Sequence, residues 1–157
     1  DALPICRQAE VAVGRMLKRL PLQRIAYNAI PSVVYTNPEI ACIGLTEKDL
    51  NDIREGDFAP SMSTDKPFVP YEVQKLPMTY SGRFVAENEG ETGLCKVIID
   101  SRNKTIIGVH MIGNPCSEFV AAASFAVRMG YTVGEFKQVV FPHPTVGEVL
   151  REVIMES

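Results

Sequence analysis

His143 stands between two prolines, in Phe141-Pro142-His143-Pro144-Thr145-Val146-Gly147-Glu148, directly ahead of a helical pattern. The prolines restrict the backbone on both sides, and an X-Pro bond at such a corner is one that can adopt cis. The imidazole is therefore expected to be held rigidly. Glu148 follows five residues on, in the first helical turn, within reach of the ring. A carboxylate bonded to one ring nitrogen sets the tautomer and stabilises the imidazolium, which leaves the other nitrogen as a general base or acid. Such a group contributes typically ~10²–10⁴-fold to a proton transfer. A second reading uses the same residues without chemistry. Thr145-Val146-Gly147-Glu148 is also a capping box, with Glu148 turned back to the Thr145 amide. The identical tetrapeptide Thr132-Val133-Gly134-Glu135 occurs with no histidine ahead of it, so Glu148 by itself does not choose between the two.

The other reactive side chains are less suggestive. His110 sits mid-strand in Gly-Val-His-Met-Ile and is read as structural. With two histidines in the chain and no close pair of cysteines, no metal site is expected. Cys6, Cys42, Cys95 and Cys116 are far apart, with no C-x-x-C. They are read as reduced, mostly buried thiols of a cytoplasmic, reducing compartment. A hydrolase pairing His143 with one of them would need a thiol of lowered pKa. Gly108 and Gly113 have phosphate-loop spacing, but Asn114-Pro115 follows where Lys and Ser or Thr are required.

These residues need elements to position them. An i, i+3, i+4, i+7 stripe of Ile5, Ala9, Ala12, Val13, Met16, Leu17 and Leu20 predicts an amphipathic helix over 4–20, ended by Pro21. Strands are expected at 32–36, 40–45, 71–77, 94–100 and 105–112, the last two joined by hairpin chemistry at 101–104. Thr46 and Asp49 read as a variant capping box before a short helix, and 57–67 as a loop. A buried helix is expected over 117–129, closed by Gly130. A short one over 132–140 follows, then one over 145–155 with Val146, Val149, Leu150 and Val153 on one face. The order predicts an α+β fold with a mainly antiparallel sheet of about four to five strands, covered by helices on one face.

Composition sets outer limits. The 157 residues are 46% hydrophobic and 22% charged, with a net charge of −3. That is the balance of a globular domain, and its charge is small and of the wrong sign for a nucleic-acid surface. No apolar run approaches the roughly 18–20 residues of a membrane span.

Four stretches resemble, in order and spacing, the flavin-dependent pyridine nucleotide–disulfide oxidoreductases, with the dihydrolipoamide dehydrogenase branch as the best match. They are Phe141–Glu152 with its His-Pro-Thr-x-x-Glu pattern, Ile30–Ala41 with Gly44, Gly108–Gly113 with Ser117-Glu118, and Leu3–Glu10. Arg7 and Gln8 replace the His and Lys usual in the last, Gly147 stands where Ser is frequent, and Gly113-Asn114-Pro115-Cys116 permutes a common Gly-Pro-Asn-Ala order. The resemblance implies that 28–157 is the family's dimerisation domain and 1–27 a helix and linker continuing from a preceding flavin-binding domain. It implies a homodimer in which His143, held by Glu148, serves the partner subunit as acid/base. FAD and NAD would act in the full-length enzyme, with the backbone of Ile5 and Cys6 near the flavin ring, and this chain by itself would be inactive. The implied partner is a lipoyl-bearing protein of a 2-oxoacid dehydrogenase or glycine cleavage complex. A glutathione- or mercury-type reductase of the same family, and a free-standing dimeric module without activity, are the alternatives.

Overall fold

Residues Leu94–Asp100 (β4) and Ile106–Ile112 (β5) bury alternate side chains, with Cys95, Val97, Val109 and Met111 facing the main core. This is the period-2 pattern of strands packed on one face. In the computed structural model, which describes residues 3–21, 25–55 and 69–156, the two pair antiparallel with Leu94 opposite Ile112. The turn between them is braced by Asp100. Its carboxylate accepts from the Arg102 amide at 2.9 Å, from Nε at 3.0 Å and from Nη2 at 2.8 Å. Ser32–Val34 (β1), Ile40–Gly44 (β2) and Tyr71–Leu76 (β3) complete a five-stranded sheet in the order β1-β2-β5-β4-β3. Every neighbouring pair is antiparallel, and the α+β expectation holds.

Among the described residues, six helices accompany the sheet: Leu3–Leu17 (α1), Glu47–Glu55 (α2), Gly82–Glu87 (α3), Cys116–Met129 (α4), Val133–Phe136 (α5) and Val149–Met155 (α6). The main core joins one sheet face to α4 through Val120, Ala123 and Ala126, and to α6 through Val149, Leu150 and Val153. Gly130 closes α4 at φ 68°, where its amide returns to the Ala126 and Val127 carbonyls.

Several expectations need correction. Helices do not keep to one face, because Leu50 of α2 packs with Ile98 and Val69 in a second cluster on the opposite side. The Thr46–Asp49 box opens α2 as read, each residue's amide bonding the other's side chain. The 117–129 helix is buried on one side only, since Phe125 and Met129 are exposed. The helix expected over 132–140 stops at Phe136. No periodicity marks 78–93, yet a 3-10 turn, Met78–Tyr80, and then α3 form there, the latter capped by Ser81. The stripe on α1 is real as a pattern, but Val13, Met16 and Leu17 stay exposed in this chain. The loop expected over 57–67 lies outside the described residues.

The sheet is tightest where β2 meets β5. Gly44, at φ 78°, leaves no room for a Cβ, which would lie 2.2 Å from the Ile107 carbonyl oxygen; one on Gly108 would lie 2.2 Å from that of Leu45. Gly108→Ala is therefore expected to lower the unfolding free energy by about 1–3 kcal/mol, the usual cost of overpacking. Urea denaturation checks this, and an unchanged midpoint would mean the strands part freely.

Candidate active site

Two identical tetrapeptides end differently. At 132–135 the capping box forms: the Thr132 amide donates to Glu135 Oε2 at 2.8 Å, and the Glu135 amide donates to Thr132 Oγ1 at 3.2 Å. At 145–148 it does not. Thr145 has φ −138° where Thr132 has φ −77°, and its hydroxyl donates to the Pro142 carbonyl at 2.8 Å. Glu148 is thereby released from capping, and its Oε2 accepts from His143 Nδ1 at 2.8 Å. A carboxylate only accepts, so Nδ1 carries the proton and Nε2 holds the lone pair of the neutral ring.

Burial divides the pair unequally. The His143 side chain is 80% exposed, whereas that of Glu148 is only 12% exposed. The acid is fixed against the protein and the imidazole is presented outward. An open cleft beside it is lined by Lys137, Val139, Val140, Phe141 and Arg151 among others.

Three contacts hold the corner. Phe141 packs on Phe136 with ring centroids 5.8 Å apart. Val146 is buried within a 3-10 turn, Val146–Glu148, that leads into α6. Ser81 donates to the Thr145 carbonyl at 2.9 Å. The His143–Pro144 bond is cis. Gly147 lies against Phe119: a Cβ there would come within 3.2 Å of the Phe119 Cβ. A side chain at 147 would thus require α4 to give by a few tenths of an ångström at Phe119.

The Asn114 departure also has a structural reason. Asn114 Oδ1 accepts from the Glu39 amide at 2.9 Å and its Nδ2 donates to Asn37. Glu39 in turn accepts the Ser117 amide at 2.9 Å in the first turn of α4. The turn after β1 thus clamps the turn after β5. Sequence reasoning missed both Ser81 and Glu39, because each bonds a backbone group far away in the chain and neither spacing hints at it.

The remaining candidates do not join the pair. His110 Nε2 donates to the Leu45 carbonyl at 3.0 Å, a pin between β5 and the turn into α2. Burial lowers its pKa, partly opposed by that bond, so it is neutral at pH 7. Of the cysteines, Cys95 and Cys116 are buried and Cys42 is half-buried, but Cys6 is exposed, against the expectation of burial. Burial pushes the Cys95 thiol up to about 12 and that of Cys116 up to about 11, and raises Cys42. None of the three offers a thiolate for a hydrolase. Ile5 and Cys6 lie in the first described turn of α1. Among the described residues, no group of His, Cys, Asp and Glu could hold a metal ion, and no helix is long and apolar enough to cross a membrane.

Residues 30–154 match the model of the pyridine nucleotide-disulphide oxidoreductase dimerisation domain, and the chain belongs to that family. Among curated relatives, it is 36% identical over 128 residues to a mitochondrial dihydrolipoyl dehydrogenase of Caenorhabditis elegans. That match spans 82% of this chain and 23% of the relative. It is 32% identical to dihydrolipoyl dehydrogenase 3 of Pseudomonas aeruginosa, over 86% of this chain and 27% of that one. The chain thus spans about a quarter of the length of these relatives. Its fold is shared with LpdA of Mycobacterium tuberculosis, with a TM-score of 0.74 at 20% identity over 92% of this chain and 28% of that one. It is shared as well with the HOCl-induced flavoprotein disulfide reductase RclA of Escherichia coli, with a TM-score of 0.71 at 18% identity over 92% of this chain and 30% of that one.

Two outcomes follow from the groups outside the pair. Because His110 has a lower pKa folded than its ordinary value of about 6.5 unfolded, the unfolded chain binds more protons between those values. Stability is therefore expected to fall as pH drops below about 6.5. Unfolding titrations should show a shallower decline for His110→Gln; an identical slope would deny His110 the part. Iodoacetamide at neutral pH is expected to label Cys6 first in the native chain and to reach Cys95 and Cys116 only on unfolding, as read by mass spectrometry.

Proposed function

We propose that this chain is the dimerisation region of a dihydrolipoyl dehydrogenase-type flavoenzyme and that His143, oriented by Glu148, is its acid/base for a dithiol. The observation that carries this is the pairing of an exposed imidazole with a nearly buried carboxylate at 2.8 Å. Nε2 takes the proton of a substrate thiol, and the thiolate so formed attacks one sulfur of a redox disulfide. The imidazolium, stabilised by Glu148, then returns its proton to the departing sulfur. The flavin supplies the two-electron step between that disulfide and NAD when bound.

His143 acts on the disulfide of the partner subunit in a homodimer. Exposed Phe125 and Met129 on α4, and Met16 and Leu17 on α1, are apolar surface that a solitary domain would cover. Residues 1–27 continue a flavin-binding domain on this reading. Ile5 and Cys6 lie in the first described turn of α1, near the end where a helix dipole is positive. That suits contact with one electron-rich edge of a flavin and nothing more, so the rest of an FAD site would come from elsewhere in the whole protein. The partner would be a lipoyl-bearing protein of a 2-oxoacid dehydrogenase or glycine cleavage complex, in a reducing, cytoplasmic setting. The chain by itself would not turn over.

In the full-length enzyme, His143→Gln is expected to cut dithiol oxidation by about 10²-fold or more. Electron transfer from NADH to an artificial acceptor, which needs no thiol proton, should hold. A hybrid dimer tests the cross-subunit arrangement. One subunit carries His143→Gln, the other lacks the redox disulfide, and dithiol turnover should reappear in the mixture. A normal rate for His143→Gln would reduce the histidine to a corner residue. Turnover of glutathione disulfide or mercuric ion in place of dihydrolipoamide would move the protein to another branch of the family.

A further inference from the structure

Ser81 is fully buried, and each of its polar atoms has a partner. Its amide donates to the Met78 carbonyl at 3.0 Å and its carbonyl accepts from the Val85 amide at 3.2 Å. Its Oγ accepts from the Phe84 amide at 3.2 Å, which caps α3. The same Oγ donates to the Thr145 carbonyl at 2.9 Å, across 64 residues of sequence. Capping needs only a lone pair, and Asp or Asn does it as well. The hydroxyl proton is surplus to that duty, and it is spent on the residue that decides which way Glu148 turns.

Thr145 is that residue. At 132–135 the same four amino acids close on themselves. At 145–148 the Thr145 carbonyl is held from behind by Ser81, and its hydroxyl goes to Pro142. The peptide plane after Thr145 is thereby fixed at the start of the 3-10 turn that carries Glu148. We propose that Ser81 is a positioning residue for the His143–Glu148 pair, its buried hydroxyl holding the Thr145 carbonyl so that the carboxylate meets the imidazole instead of closing a capping box. Its effect on turnover rests on the dithiol reading given above; its effect on the geometry of the pair does not.

The test separates the two. The chain has two histidines, so the ring nitrogens of His143 can be followed by ¹⁵N NMR with His143→Gln as the assignment control. The wild-type chain should show His143 mainly as the Nδ1–H tautomer at high pH. Ser81→Ala should spread the ring over both tautomers, as Glu148→Ala should, while Ser81→Thr, which keeps the hydroxyl, should restore the wild-type pattern. Ser81→Cys, close in size and a weak donor, should fall between and keeps the test alive if the alanine variant does not fold. Unaltered His143 signals in Ser81→Ala or Ser81→Cys, with only the melting temperature lowered, would overturn the proposal.

In the full-length enzyme, Ser81→Ala should lower kcat for dithiol oxidation about 10-fold, with KM nearly unchanged, and Ser81→Thr should recover it. If His143→Gln proves harmless to turnover, the dithiol reading fails, and the NMR result still decides the role of Ser81.

Discussion

The Glu148 carboxylate can accept from the amide three residues before it or from the imidazole five residues before it, and the His143 corner depends on the second outcome. The two choices are close in energy by type, since each is a charge-assisted hydrogen bond to one oxygen. Local sequence does not separate them, as the identical tetrapeptide at 132–135 closes the other way. What separates them is tertiary. The Thr145 hydroxyl donates to Pro142 and its carbonyl accepts from Ser81, so the hydroxyl that bonds the glutamate at 132–135 is here turned elsewhere.

That arrangement depends in turn on the sheet. The main core packs β2, β5 and β4 against α4 and α6, and α6 begins one residue after Glu148. The capped start of α3 reaches Thr145 from the opposite flank. The histidine therefore stands where elements from three separated parts of the chain converge. Its backbone is fixed by packing, and its side chain projects from that fixed base. Precision of this kind is what positioned proton transfer requires in general.

Much of this was legible in the sequence. The extended segments read from the sequence fall within one or two residues of the five strands, and the stripe of Val146, Val149, Leu150 and Val153 identified the buried face of the last helix. The His143–Glu148 spacing was visible as well, though only as one of two readings. Three things were not legible, each for a physical reason. Residues 78–93 fold into short turns whose stability comes from Ser81 and Phe84 packing under the corner, not from any period of their own. Phe125 reads as core by type but points away from it, because hydrophobicity does not tell a core face from a surface awaiting a partner. Glu39 and Ser81 act through backbone groups of residues 117 and 145, and no local pattern records such a bond.

The contact between Gly147 and Phe119 ties the His143 corner to helix α4. A Cβ at 147 would press on the Phe119 side chain at 3.2 Å, so the two positions are not free to drift separately. The nearest atom is the Phe119 Cβ, which every residue but glycine would bring, so a side chain at 147 asks helix α4 itself to give by a few tenths of an ångström. The residues just after His143 are thus held to what α4 allows.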